Sequence, residues 1–189
     1  MLVILIVSGS KVIRLSCYIF VILFRILVVY LHSDHFKHTF MEDTAIPYEL
    51  PELENHSFFF IDQQVETGIE AKLHQHDAWE LYYVVHGYGN RMAGDTLQPF
   101  EAGDVALIPP SMLHRWEYTP DSADEEGHVR YLMVAFSHSL VERCMQVFPE
   151  LRNHLKNITF PVNALKFGSK SSRTIRRILS RMNNLDELG

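Results

Sequence analysis

A chain of 189 residues, 47% of them hydrophobic, has room for one domain of ordinary size and an appendage, and not for two full cores. Its formal charge of -6 argues against a free-standing nucleic-acid binder, which needs clustered Lys and Arg to meet phosphates. The two cysteines, Cys17 and Cys144, lie far apart in unlike contexts, which argues against a disulfide framework and a Cys-based zinc site and fits a reducing, cytoplasmic setting.

The N-terminal stretch differs from the rest. Leu15 to Leu31 is a nearly unbroken apolar run, interrupted by Arg25 and preceded by Lys11 and Arg14, the pattern of an uncleaved signal-anchor that would tie the protein to a membrane. Against that reading, a span takes roughly 17–25 residues, and an arginine near its centre costs about 2.5–3.5 kcal/mol on insertion scales. At Met41 the composition turns abruptly to Met41-Glu42-Asp43-Thr44 and soluble-domain sequence. We therefore favour translation from Met41, with residues 1–40 an apolar extension on which nothing downstream depends.

From Phe58 onward, strand chemistry takes over. Short runs rich in Val, Ile, Phe and Tyr are cut by Gly87, Gly89, Gly94-Asp95, Gly103-Asp104 and Pro109-Pro110. Leu81 to Val85 and Val105 to Ile108 read as buried strands, Ala93-Gly94-Asp95 as a hairpin tip, and Val129 to Phe136 as a closing strand. Thr119 to His128 is an acidic, exposed loop. After Ser139 the period lengthens toward 3.6, with Leu140, Cys144 and Val147 on one side of a helix that Pro149 ends or restarts. A last helix over Ser171 to about Leu185 puts Ile175, Ile178, Leu179 and Met182 on one stripe, and Arg173, Arg176, Arg177 and Arg181 largely off it. The expected layout is an all-β barrel over residues 41–138 and a helical segment over residues 139–189.

The chemistry sits in two stretches, Gly68 to Gly87 and Gly103 to His114. His74, His76 and Glu80 share one parity, so on a continuous strand their side chains emerge on one face, and Tyr82 extends the row. His114 follows the turn Pro109-Pro110-Ser111, which can return it to the same pocket. Three imidazoles and a carboxylate are a donor set for iron, manganese, nickel or zinc, with positions left open for water or substrate. Arg91, Trp116 and Tyr118 can bind a carboxylate or stack on a sugar ring, although Trp and Tyr as often simply fill a core. With Tyr82 they form the candidate ligand-binding group, for a small polar molecule such as a sugar or an organic acid. An isolated His-x-His is weak evidence, and His86 beside Gly87 reads as a strand-end residue.

These spacings resemble the cupin family. Its first motif reads Gly, five residues, His, one residue, His, three or four residues, Glu, six residues, Gly. Gly68, His74, His76, Glu80 and Gly87 match every gap. Its second motif is met by Gly103, Pro109 and His114, while Ser111 stands for the family's Gly and Tyr118 for its Asn. The resemblance implies a jelly-roll (double-stranded β-helix) barrel with C-terminal helices. Metal stays open at this point, because cupin-like sensors also keep such residues for hydrogen bonding to an organic ligand.

One branch is more specific. His74 to Gly89, Leu107-Ile108-Pro109-Pro110, His114-Arg115-Trp116, Val134-Ala135-Phe136-Ser137 and the helical segment Phe167 to Leu185 resemble the ligand-sensing half of AraC-type transcription regulators. That implies an effector-binding module that forms a homodimer through the helices after Ser139. DNA contact would belong to a helix-turn-helix domain not present in this chain, which stops at Gly189. The alternative is a metal-dependent cupin enzyme, such as a dioxygenase, an isomerase or a sugar-modifying protein, for which the same donor set would serve. The basic amphipathic segment Arg173 to Arg181 favours the sensor, which needs a helix to pass a signal onward.

Overall fold

The structure is a computed structural model, and it describes residues 4–8, 11–15, 46–47, 58–69, 72–152 and 163–186. The apolar run expected over Leu15 to Leu31 lies, beyond Leu15, outside the described residues, as does the start expected at Met41. Among the described residues no helix is long and apolar enough to cross a membrane. Strands β1 (Ile4–Ser8) and β2 (Lys11–Leu15) form an antiparallel hairpin.

Two five-stranded sheets make the body of the domain. The front sheet is built from β3 (Ile46–Pro47), β5 (His74–Gln75), β7 (Gly89–Ala93), β8 (Thr96–Phe100) and β10 (His114–Tyr118), in the order β3-β5-β10-β7-β8. The back sheet is built from β4 (Phe58–Glu66), β6 (Trp79–His86), β9 (Val105–Ile108), β11 (His128–Phe136) and β12 (Leu165–Lys166), in the order β12-β9-β6-β11-β4. All pairings are antiparallel except β3 with β5. Helix α1 (His138–Val147) and helix α2 (Ser169–Asp186) follow the strands.

The back sheet is buried on both faces, which explains why β6 and β9 read as near-continuous apolar runs rather than alternating ones. Its inner face carries Phe59, Tyr82, Val84, Ala106, Val129, Met133 and Ala135, which pack against Phe100, Trp116 and Tyr118 of the front sheet to fill the barrel. Its outer face carries Phe58, Phe60, Trp79, Leu81, Val105, Leu107, Leu132, Val134 and Phe136. Leu140 and Val141 of α1 and Ile175, Ile178, Leu179 and Met182 of α2 cover that outer face. A side chain of this kind contributes about 1.5–3 kcal/mol when fully buried.

The helical stripe is thus spent inside the chain. Expected to serve self-association, Ile175, Ile178, Leu179 and Met182 instead face their own sheet, because the outer face of β6, β9 and β11 offers the closest unpartnered apolar surface. Helix α1 starts at Ser137, whose side-chain oxygen accepts a hydrogen bond from the Leu140 amide at 3.2 Å. Its buried side is Leu140 and Val141 with Cys144 packed beside them, whereas Val147, expected on the same side, is 63% exposed at the last turn.

Two glycines allow the close approach of the chain to β10 where β6 gives way to β7. A side chain at Gly89 would collide with the Glu117 carbonyl across the β7–β10 ladder, and one at Gly87 would occupy the place of the Tyr118 ring. Gly87 also has a φ of 103°, in the region only glycine adopts cheaply.

Candidate metal centre

The donor set is assembled from both sheets. His74 in β5 stands directly opposite His114 in β10. His76 lies just past the end of β5, and Glu80 projects inward from β6 of the back sheet. One ligand atom from each of the four residues lies within 4.8 Å of the others, and all four residues are buried. His76 Nε2 lies 3.3 Å from Glu80 Oε2, and His114 Nε2 lies 3.4 Å from the same oxygen.

One expectation needs correcting. A continuous strand would hold residues four apart at roughly 13 Å. His76 and Glu80 meet because residues 76–78 leave the strand and carry the chain from front sheet to back sheet. Parity puts the three residues on one face, but it is the bend that brings them together. The Ser111 amide donates to the His76 carbonyl at 2.8 Å, tying the second motif to this bend.

The imidazoles are oriented for a cation. Nδ1 of His74 meets the Lys72 carbonyl at 2.7 Å, Nδ1 of His114 the Met112 carbonyl at 2.7 Å, and Nδ1 of His76 the Ala78 carbonyl at 3.2 Å. A carbonyl oxygen carries no proton, so each Nδ1 is the donor, and Nε2 is left as a lone pair in the neutral ring. A lone pair against a carboxylate oxygen repels unless a proton or a metal ion lies between them. Two ligand atoms each about 2.1 Å from one ion are separated by roughly 3.0–3.4 Å, which the two Nε2 to Oε2 distances match. The backbone carbonyls then supply the outer contacts that fix ring and tautomer in metal sites. The residues fit a divalent transition metal.

Behind the centre lies an aromatic stack. Trp116 Nε1 donates to Glu80 Oε1 at 3.3 Å, so the indole holds the second carboxylate oxygen. The Tyr82 ring stacks on Trp116, with centroids 3.9 Å apart, and on Tyr131, 4.6 Å apart. The Tyr82 and Tyr118 hydroxyls are 3.3 Å apart, and Phe100 sets its edge against Trp116 and Tyr118. Arg91 lies over Trp116, 5.1 Å from the ring centroid, and donates to Gln98 Oε1 at 3.0 Å. The four residues singled out for ligand contact, Tyr82, Arg91, Trp116 and Tyr118, are therefore all inside the barrel and mutually packed. Sequence reasoning missed Tyr131, Phe100 and Gln98. The parity of Tyr131 with Met133 and Ala135 was an available signal.

A family model for the AraC-like ligand binding domain matches residues 62–188, more than half of the chain and all four donor residues. The chain belongs to this family. Its facing sheets and outer helices are the cupin-type fold that the motifs implied. Among solved structures, the chain is similar to a cupin 2 conserved barrel domain protein from Rhodopseudomonas palustris, at 22% identity and a TM-score of 0.35, over 43% of this chain and 53% of that one. It is also similar to a cupin 2 domain-containing protein from Halorhodospira halophila, at 25% identity and a TM-score of 0.38, over 44% and 55%. A third is a predicted oxalate decarboxylase from Thermotoga maritima, at 20% identity and a TM-score of 0.36, over 47% and 75%. The match spans about half the length of the first two. No curated protein matches the chain.

Within this AraC-like domain the charges are strongly coupled. Burial is the largest influence on Glu80 and pushes its carboxyl up, but the charge and hydrogen bonds of His114 and His76 outweigh it and hold the group well below the usual carboxylate range. Burial likewise lowers His114, and Glu80 overrides it to raise the group. His74 is lowered, by burial first and by His114 second. Tyr82 is raised by burial and by Tyr118 and Tyr131, so it stays a neutral phenol. Ser111, standing where the motif has glycine, keeps the glycine conformation, with a φ of 60°.

Proposed function

We propose that this AraC-like domain is the small-molecule sensor of a transcription regulator, binding a polar effector inside the barrel beside a divalent transition metal. His74, His76, Glu80 and His114 would hold the ion, which when bound supplies a positive charge that polarises an oxygen of the effector. Tyr82, Arg91, Trp116 and Tyr118 bind and orient the effector from the other side of Glu80. Protein–protein contact in a homodimer and a cytoplasmic setting complete the reading.

The observation that carries it is the two-sidedness of β6. Glu80 and Tyr82 point into the barrel, while Trp79 and Leu81, their immediate neighbours, lie beneath the helices. A shift of this strand on effector binding is felt directly by α1 and α2, which is what a sensor requires and a simple binding protein does not. The test is hydrogen exchange of α2 with and without an effector found by thermal-shift screening. Slower exchange in α2 on binding supports the sensor; protection confined to the barrel counts against it.

The buried donor set favours one second reading, a metal-dependent cupin enzyme. Turnover of a substrate that is abolished both by metal removal and by Glu80→Gln would establish it.

A further inference from the structure

Arg91 stands on the inward face of β7, between Trp116 of β10 and Gln98 of β8 in the sheet register, with 2% of its surface exposed. A guanidinium carries a permanent charge and five N–H donors in a planar fork. Here Nη2 donates to Gln98, Nη1 is buried with no hydrogen-bond partner, and the charge rests on the Trp116 ring. Burial lowers its pKa, and Asp104 acts on it only at a distance. Asp104 itself is engaged, receiving Lys166 Nζ at 2.7 Å and the Glu101 amide at 3.2 Å.

Arg130 shows what a satisfied arginine looks like in this fold. It donates twice to Asp62, at 2.9 and 2.6 Å, although its side chain is 43% exposed and needs the partner less. The more buried arginine is the one without a carboxylate. A buried charge left unpaired is among the costliest features of a core, and retaining one marks a functional site.

We propose that Arg91 anchors an anion subsite inside the barrel and takes the carboxylate of a small organic acid. This rests on the effector-binding reading above and names the effector's class. The planar fork matches a carboxylate through two parallel hydrogen bonds. Gln98, exposed on the edge strand β8, is the neutral group that the incoming carboxylate displaces from Nη2. The Trp116 ring, packed between Arg91 and Tyr82 and donating to Glu80, separates this subsite from the donor set. A neutral sugar would leave the guanidinium uncompensated.

The test is calorimetric titration and thermal shift of the full chain with succinate and benzoate, each against its amide, and with glucose as a neutral polyol. At least one carboxylate binds and raises Tm, and its amide binds about tenfold more weakly or worse. Arg91→Met, which keeps the stem on Trp116 and removes the charge, loses that affinity by a similar factor while its unliganded Tm holds or rises. Arg91→Lys keeps the charge without the fork and falls between. A carboxylate bound equally well by Arg91→Met overturns the proposal, as does an unliganded Tm that falls in Arg91→Met, since that marks a structural arginine. Binding of glucose but of neither carboxylate overturns the carboxylate class and leaves the sensor standing. Binding of none of these probes counts against both.

Discussion

The two faces of the back sheet are made by the same strands and by alternate residues of the same runs, yet they hold different kinds of core. The outer face is dominated by apolar contacts: Trp79, Leu81, Leu107 and Val134 meet Ile175, Leu179 and Met182, and non-directional burial holds the helices down. The inner face packs its aromatics, with Glu80 among them, against His74, His114 and Arg91 of the front sheet and His76 of the bend, all buried and all depending on particular partners. One face can be read as stability, whereas the other carries polar groups that cost stability unless something binds them. The difference is testable, because substitutions on the outer face should act on folding alone and those on the inner face on folding, metal and pH together.

The largest effect belongs to the outer face. Leu179 is fully buried, and Leu179→Glu both removes its packing and puts an unpaired carboxylate under the sheet, a loss on the order of 5 kcal/mol or more. That rivals the whole stability of a domain of this size. The variant should be insoluble or unfolded by circular dichroism, while Arg177→Glu, two residues away on the exposed side of α2, should stay within about 0.5 kcal/mol of the parent. A folded, monomeric Leu179→Glu would instead make the stripe a contact surface for a second copy.

On the inner face, His76→Ala comes next. Protein purified without chelator should carry close to one equivalent of transition metal by elemental analysis, and the variant should lose it together with the stabilisation that binding gives, about 3–4 kcal/mol for an ion held well above its dissociation constant. Metal-free parent protein with the same Tm as the variant would remove the metal from the proposal.

A smaller effect distinguishes the faces by pH. In metal-free protein, His114 has a raised pKa, so its contribution is present below the ordinary value of 6.5 and is lost as pH rises through the raised one. His74 has a lowered pKa, so its contribution is present above 6.5 and is lost as pH falls toward the lowered one. The depressed Glu80 contributes throughout and fails only in stronger acid. Tm of the metal-free protein should therefore peak near pH 6.5 and decline on both sides. Glu80→Gln should remove the alkaline decline, since Glu80 is what raises His114. A flat profile from pH 5 to 8 would show that these groups are not coupled as the distances imply.

The same contrast marks what was legible in the sequence. β6, β9 and β11 could be read because their apolar runs are long and buried, and the tip Gly94-Asp95 because its turn chemistry is local. β8 was not read: its residues are mostly exposed, it contains Pro99, and it is held at a sheet edge only by pairing with β7. The four donors were legible from spacing, but not the bend at residues 76–78, since parity does not distinguish a strand from a strand that changes sheet. The stripe on α2 was plain while its partner was not, because periodicity shows which side is apolar and says nothing about what covers it. Tyr131 and Phe100 depend on registers between strands distant in sequence.

Ser111 gives the smallest and most local prediction. It holds a φ of 60° at the turn between β9 and β10, where its amide braces the His76 carbonyl from 2.8 Å away. An L-residue with a Cβ pays about 1–2 kcal/mol to sit in this region, whereas glycine does not. Against that, glycine gives the unfolded chain more freedom, which costs roughly 0.5–1 kcal/mol. Ser111→Gly should therefore stabilise the protein slightly, by up to about 1 kcal/mol, with metal content unchanged because the bond to His76 is made by the backbone amide and survives the substitution. Denaturant unfolding with an unaltered m-value would measure it. Ser111→Val should move the other way, since a β-branched side chain tolerates positive φ worst, and it should lower metal occupancy as the turn shifts and His76 loses its brace. A Ser111→Val protein with parental stability and full metal content would mean that the turn does not position the donor set, and that the bend after β5 holds His76 on its own.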